Sequence, residues 1–413
     1  MTGKSPLRGL NAILASVGPG LFLIGYNIGT GSITTMAKAG AEYGMTLFWA
    51  LALSCLFTFV LMVAYGKITL ISGHTALWNF RREFRFGSLL AIYILIALIS
   101  GELLAILGVM GIVVELLEEG LRLLSPELQP GRFGITLVLA ISMYFLLWTG
   151  KYKRFEKMLM FFVILMGLCF ILVFILVKPN FTAIFSGLIP SIPKTPGSYA
   201  LVAAMAGTTC SAAVFIVRST VLAEKGWTTA DLAVEKRDAL VSASTMLLLS
   251  TVIMAVSAGT LHVMGLKMNN TLDMIRLFEP LGGKAAAFIL ILGIAGAGLS
   301  TVFPIILIAP WLISDYLGMP RDISSPLFRI AGLIGILFSF GFLLVERTPP
   351  LLMVFSQAFQ ACILPAVAIP VFLLVNRSGF MNKQTAGAWM NAGLLAVILF
   401  SLITTGFALV ELF

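Results

Sequence analysis

The 413-residue sequence is poor in charge, histidine and cysteine. Asp, Glu, Lys and Arg together make up 11% of the chain, and there are 2 histidines and 4 cysteines. A soluble domain of ordinary composition has about a quarter charged residues. This scarcity excludes a soluble enzyme, and cysteines without metal-ligand spacing give no sign of a zinc site or a disulfide framework. No phosphate-binding loop is present, which argues against ATP as a partner.

Long apolar stretches occupy most of the chain instead. Hydrophobic residues make up 59% of it, and the mean hydropathy is +1.04. These stretches predict an all-α membrane protein with about eleven transmembrane helices of roughly 17–30 residues. The predicted spans are 11–43, 45–72, 87–117, 133–149, 154–177, 197–222, 236–262, 282–316, 326–345, 350–376 and 386–410.

The net charge of +9 is best explained by membrane orientation. Most Lys and Arg residues fall in the loops that share a side with the N-terminus, and positively charged loops stay in the cytoplasm. We therefore expect a cytoplasmic N-terminus, an outside C-terminus and a bacterial inner (plasma) membrane location. The basic residues do not indicate nucleic acid as a partner, which leaves the lipid bilayer.

Spans 1 and 6 each contain residues that weaken a helix at their midpoint. The stretches are "YNIGTGSIT" and "MAGTTCSAA", and Gly, Ser and Thr disfavour or compete with helical hydrogen bonding. Paired interruptions indicate a transporter with its binding site at the breaks, although small residues also let helices pack closely. The candidate substrate-binding residues are Gly29, Thr30, Gly31, Ser32, Thr208, Thr209, Cys210 and Ser211.

Several motifs resemble the NRAMP metal-ion transporter family. They are "GPG" at 18–20, "AGAEYG" at 39–44, "AGAGLST" at 295–301 and "FSQAFQACILPAVAIP" at 355–370. The resemblance implies a LeuT-type fold of two inverted five-helix repeats with broken helices 1 and 6. It also implies a single transmembrane domain over 1–413, with repeat one at about 11–177, repeat two at about 197–376 and an extra helix at 386–410.

The chain is a divergent member, because it lacks the family's usual metal-binding motifs. By resemblance, the family's Asp-Pro-Gly-Asn motif falls on residues 29–32, so that Gly29 replaces the ligating Asp and Ser32 the ligating Asn. Ser211 replaces the ligating Met, and Gln357 alone is retained. Transition metals need carboxylate, imidazole or sulfur donors, so we do not expect the family's usual transition-metal chemistry.

Three functions fit these clusters, and none of them is enzymatic. Helix N-termini and hydroxyls without an acid, near Lys38 and Arg218, favour a small anion, with bicarbonate first. The alternative is a divalent cation, Mg²⁺ or Mn²⁺, bound by a rebuilt site that uses Gln357, backbone carbonyls and water. A non-transporting sensor on a transporter scaffold is the third.

Ionisable residues within spans indicate a charge or coupling network. Glu102, Arg218 and Arg329 are the candidates, and we expect Glu102 to pair with one of the two arginines. Ser300 and Thr301 in span 8 match the place where LeuT-type transporters hold Na⁺. No cofactor is predicted, and co-transported Na⁺ or H⁺ is the one candidate beside a small inorganic ion as substrate.

Overall fold

The computed structural model describes residues 29–125, 127, 130–149, 152–276, 283–320, 322–345, 348–382 and 384–412. This part of the chain is almost entirely helical and has no β-strand. Nine of its helices are long and apolar enough to cross a bilayer. The predicted all-α membrane fold is therefore confirmed. The first half of span 1, with "GPG" and Asn27, lies outside the described residues.

The helices follow the predicted spans closely. They are α1 (Thr30–Tyr43), α2 (Phe48–Ser72), α3 (Ala76–Glu83), α4 (Gly87–Leu124), α5 (Arg132–Thr149), α6 (Tyr152–Val177), α7 (Phe181–Ser186), α8 (Ser198–Thr209), α9 (Ala212–Glu224), α10 (Leu232–Ser257), α11 (Asp273–Arg276), α12 (Gly283–Leu317), α13 (Pro326–Phe338), α14 (Pro349–Ala361), α15 (Leu364–Val375) and α16 (Ala388–Leu412).

The predicted interruptions lie where the helices begin and end. Span 6 is divided into α8 and α9, with Cys210 and Ser211 between them. At Gly29 the backbone is extended, with φ −82° and ψ −172°, and α1 begins at the next residue. The broken span 6 is thus confirmed, and the described half of span 1 begins at its predicted break.

Span 10 is also interrupted, which the sequence analysis did not predict. Helix α14 ends at Ala361 and α15 begins at Leu364, with Pro365 in its first turn. Proline has no backbone N–H to donate and clashes with the preceding turn of a continuous helix. The interruption ends α14 one turn after Gln357.

Helices α1, α4, α8, α12 and α14 pack around the interruptions. Helix α8 approaches α14 so closely that a Cβ atom at Gly207 would lie 1.8 Å from the Gln357 carbonyl oxygen. Large apolar side chains on the outer helices, such as Phe145 and Leu399, are exposed, as expected of surfaces that face lipid. The packing leaves a small polar space at the centre.

Candidate functional site

A small pocket lies where the two interrupted segments meet. It opens between the start of α1, the α8–α9 break and the facing surfaces of α4, α12 and α14. Its volume is about 30 Å³, enough for a small ion or about two water molecules. The lining residues are Gly29, Gly31, Ser32, Glu102, Ala105, Thr208, Ser211, Thr301, Ile305, Met353, Gln357 and Gln360.

The structure brings together most, but not all, of the predicted binding residues. Gly29, Gly31, Ser32, Thr208, Ser211 and Gln357 line the pocket. A hydrogen bond of 2.9 Å joins the hydroxyls of Ser32 and Thr208 and so links the two breaks directly. The remaining predicted residues, Thr30, Thr209 and Cys210, are buried outside the lining.

Thr209 shows why a hydroxyl in a break need not reach the pocket. Its side chain donates to the Met205 carbonyl one turn earlier in α8. Its own carbonyl accepts a 2.9 Å hydrogen bond from the Thr58 hydroxyl of α2. Thr209 therefore satisfies the backbone at the end of α8 and contributes to helix packing.

Glu102 brings a carboxylate into the pocket. Its Oε1 accepts a 3.1 Å hydrogen bond from Gln360 Nε2, and Gln360 Oε1 accepts one of 2.8 Å from the Ser211 hydroxyl. The expectation of a site without an acid is therefore wrong. Sequence analysis missed Gln360, although its spacing of three residues from Gln357 places both amides on one face of α14.

Arg218 pairs with acids that sequence analysis did not consider. Its Nη2 lies 2.9 Å from Glu235 Oε1 and 2.8 Å from Asp238 Oδ2, and all three side chains are completely buried. The expected Glu102–Arg218 pair is not formed. The sequence feature that could have indicated this cluster is the i, i+3 spacing of Glu235 and Asp238 in "AVEKRDAL". This spacing puts both carboxylates on one face of α10.

The other basic residues are also engaged away from the pocket. Lys38 forms an ion pair with Glu42 and donates a 2.9 Å hydrogen bond to the Met268 carbonyl. The Arg329 guanidinium lies 4.0 Å from the centre of the Trp148 ring, in a cation–π contact. No Lys or Arg lines the pocket within the described part of the chain, so the cations invoked for an anion site are absent from it.

Ser300 and Thr301 differ in their relation to the pocket. Both hydroxyls donate to the Ala297 carbonyl, at 2.7 and 2.9 Å. Thr301 lines the pocket and lies against Gly29, where an added Cβ atom would be 2.2 Å from the Thr301 hydroxyl oxygen. Ser300 does not line it. Sodium binding by this pair stays a prediction.

The donors around the pocket are mainly hard oxygen groups. They comprise the Glu102 carboxylate, several hydroxyls and the amides of Gln357 and Gln360. Among the described residues, no group of three or more His, Cys, Asp or Glu side chains is placed to hold a metal ion. Carboxylate, amide and hydroxyl oxygens suit Mg²⁺, Ca²⁺ and Mn²⁺ better than softer metals.

Interrupted helices around a buried polar pocket define the LeuT-type fold of membrane transporters. An Eremococcus coleocola manganese transporter has the same fold, with a TM-score of 0.73 and 18% identity over 100% of this chain and 88% of that one. The nucleobase-cation-symport-1 family transporter Mhp1 matches with a TM-score of 0.64 and 13% identity, over 95% and 92% of the two chains.

The sequence comparison gives the family. The family described as natural resistance-associated macrophage protein-like, Nramp, matches residues 20–411, and the chain belongs to it. The divalent metal cation transporter MntH 1 of Pseudomonas aeruginosa is 25% identical over 97% of this chain and 91% of its own length. MntH of Ralstonia nicotianae is 23% identical, over 92% and 87%. Both relatives are named as transporters, and the family is therefore one of membrane transporters and not of enzymes.

Proposed function

We propose that the protein is a secondary transporter of a hard divalent cation, with Mg²⁺ as its first substrate and Mn²⁺ as its second. The observation that carries this proposal is the Glu102 carboxylate, which lies in the same pocket as the hydroxyls and amides of the breaks. The bicarbonate hypothesis depended on a site without an acid and with basic residues nearby. The divalent-cation alternative replaces it.

The donor set favours an ion that keeps part of its water shell. Mg²⁺ dehydrates reluctantly and is usually bound through one or two carboxylates together with water. Glu102 supplies one carboxylate, while Ser32, Thr208 and Gln357 supply neutral oxygens at the pocket wall. The thioether of Met353, which also lines the pocket, is a softer donor and is the reason for retaining Mn²⁺ as a substrate.

The helix ends at the pocket partly cancel one another. Helices α1 and α9 begin there and present partial positive charge, whereas α8 ends there and presents partial negative charge. Glu102 adds a full negative charge when it is ionised, and the balance then favours a cation. The relatives named as divalent metal cation transporters support the same class of substrate.

Transport requires the pocket to open to each side of the membrane in turn. The expected motion in this fold is a rocking of the spans that contain the breaks, with their neighbours α2 and α10, against the other helices. The Ser32–Thr208 hydrogen bond lies within the moving group, and the Ser211–Gln360 bond crosses between the groups. The second bond is therefore the one of the two that this motion would strain.

The test is ion flux into proteoliposomes that contain the purified protein. Mg²⁺ and Mn²⁺ influx would be followed with internal fluorescent indicators, and bicarbonate influx through internal pH. We expect saturable influx of both metals and at least a tenfold loss of Mg²⁺ influx in the Glu102→Gln variant, because an uncharged pocket no longer offsets the cost of dehydrating the ion. Glu118→Gln, which changes an acid at the other end of α4, is the matched control.

Three other outcomes of this flux assay would contradict the proposal. Bicarbonate influx without metal influx would restore the anion hypothesis. The absence of any flux, in a protein that is folded and monodisperse, would support the sensor hypothesis. Metal influx that Glu102→Gln leaves unchanged would show that the ion passes by a route that avoids this pocket.

A further inference from the structure

A continuous chain of hydrogen bonds runs from the α8–α9 break to α4. The Ser211 hydroxyl donates to Gln360 Oε1 over 2.8 Å, and Gln360 Nε2 donates to Glu102 Oε1 over 3.1 Å. All three side chains are at most 4% exposed, and all three line the pocket. These hydrogen bonds therefore connect the α8–α9 break, α14 and α4 at the proposed ion site.

The geometry gives every hydrogen bond in this series one direction, from Ser211 to Gln360 and from Gln360 to Glu102, and an ionised Glu102 carboxylate would fix that direction. A carboxylate only accepts hydrogen bonds, so the Gln360 amide must turn its NH₂ group towards Glu102. Its carbonyl oxygen then faces Ser211 and can only accept. The Ser211 proton is consequently committed to Gln360, and the lone pairs of the hydroxyl are the part that remains for the pocket.

Ser211 does not use its hydroxyl to cap the helix that follows it. It occupies the N-cap position of α9, yet its side chain makes no capping hydrogen bond. Serine at this position ordinarily accepts from a backbone N–H of the first turn. The bond to Gln360 replaces the cap, so the orientation of this hydroxyl is decided by α14 and α4.

We propose that Gln360 is a positioning residue that makes Ser211 a ligand for the transported cation, and this inference rests on the proposed function. Glu102 sets the orientation of the amide, and the amide sets the orientation of the hydroxyl. With the opposite amide orientation, Ser211 would present its proton to the pocket, as an anion site requires. The orientation of the Gln360 amide thus decides whether the Ser211 hydroxyl can bind a cation or an anion.

The hydrogen bonds that link Ser211, Gln360 and Glu102 also restrict when the Ser211 hydroxyl is available as a ligand. Ser211 lies between α8 and α9, which move in the rocking cycle, while Gln360 and Glu102 belong to helices of the other group. The hydroxyl is oriented for a cation only while the two groups are in contact at this point. Separation of the groups would release the hydroxyl and so weaken binding of the ion.

The experiment is a double-mutant cycle on Mg²⁺ binding to the purified full chain, measured by titration calorimetry. Gln360→Met keeps the length of the side chain and removes both amide groups, and Ser211→Ala removes the hydroxyl. Loss of a residue that orients a metal ligand typically costs 10–100-fold in affinity. We expect each single change to raise the Kd for Mg²⁺ about tenfold, and the double variant to be no weaker than either.

Ser356→Ala is the matched control. Its hydroxyl is buried on the same helix and donates to the Met353 carbonyl within α14, so its removal should leave the Kd unchanged. A variant that is partly misfolded lowers the binding stoichiometry and leaves the Kd of the folded fraction unaltered. If Gln360→Met is not recovered folded, Gln360→Asn, which moves the amide back by one methylene, must raise the Kd in the same way.

The results of this experiment distinguish a failure of the role given to Gln360 from a failure of the proposed function. Additive losses in the double variant, or a Kd in Gln360→Met equal to that of Ser356→Ala, would overturn the role of Gln360 while divalent transport stands. Mg²⁺ binding with the expected non-additivity, but without flux, would contradict transport and leave the role of Gln360 supported. A wild-type chain that binds no Mg²⁺ contradicts both.

Discussion

Arg218 is the largest completely buried side chain among the described residues. Its guanidinium contacts two carboxylates, Glu235 and Asp238, so that one positive charge is shared by two acids. Removing one member of a buried ion pair leaves an uncompensated charge and is strongly destabilising. The cluster joins α9 to α10 and is separate from the pocket.

Arg218→Met should destabilise the folded protein by about 3 to 5 kcal/mol, because Glu235 and Asp238 would lose their partner. The measurement is the thermal unfolding midpoint of the detergent-purified protein. The triple variant Arg218→Met, Glu235→Gln, Asp238→Asn removes all three charges and should recover most of the loss. An unchanged midpoint in the single variant would show that the buried cluster is not held by its charges.

The sequence context of Glu235 and Asp238 explains why sequence analysis paired Glu102 with an arginine. Sequence analysis considered Glu102 as the acid for the two arginines and passed over Asp238, although this residue lay inside the predicted span 236–262. The acids that neutralise Arg218 lie in "AVEKRDAL", beside Lys236 and Arg237, in a stretch that looked like a polar loop end. The helix begins at Leu232, before the predicted start at 236, and this places Glu235 in the bundle beside Asp238.

At the scale of elements, the contact between α8 and α14 positions the pocket. It brings Thr208 of one helix and Gln357 of the other to the same wall. Gly207 permits the contact, because any side chain there would collide with the Gln357 carbonyl. Gly207 is one of the residues that weaken span 6 in the sequence. In the structure it also allows the backbones of α8 and α14 to approach each other.

Gly207→Ala should reduce Mg²⁺ influx by about fivefold or more. The added methyl group must push α8 away from α14, which widens the pocket and separates its ligands. Overpacking of this kind typically costs about 1–3 kcal/mol, which is about 5- to 150-fold in an equilibrium. The control is Gly406→Ala in α16, where a Cβ atom meets nothing within 4 Å. Influx equal to that of the control would show that the helices tolerate a wider separation.

At the scale of the whole molecule, the membrane potential provides a driving force for a cation. Moving one elementary charge through 100 mV is worth about 2.3 kcal/mol, and a divalent ion gains twice that amount when it enters a negative interior. An anion would need a coupling ion to oppose the same field. A cation as substrate would therefore need no coupling ion to overcome this field.

Mg²⁺ influx into proteoliposomes should accelerate when a K⁺ diffusion potential makes the interior negative, because uptake carries net positive charge inwards. The indicator assay described above measures it, with equal K⁺ on both sides as the control. Influx that does not respond to the potential would indicate an electroneutral exchange. The same vesicles with choline in place of Na⁺ test the prediction for Ser300 and Thr301: a fall in influx supports it, and unchanged influx removes it.

The sequence by itself determined the class of protein, the positions of most spans and the presence of breaks in spans 1 and 6. These features depend on local properties, since apolar length decides which segments cross a bilayer and residues such as Gly31 and Thr208 weaken a helix wherever they occur. The cytoplasmic N-terminus and the outside C-terminus follow from the loop charges and the number of spans, and the repeat boundaries follow from the family resemblance; all of these stay predictions.

Only the tertiary structure decided what the breaks face. Helical periodicity places Glu102 and Gln360 on particular faces of their helices, but it does not show which faces meet. Packing brought both residues to Ser211 and directed Thr209 into its own helix, so that a stretch without acids acquired a carboxylate from a distant span. The chemistry of this pocket is therefore a property of helix packing, because α4 supplies its carboxylate and α14 its amides, whereas the breaks themselves supply hydroxyls.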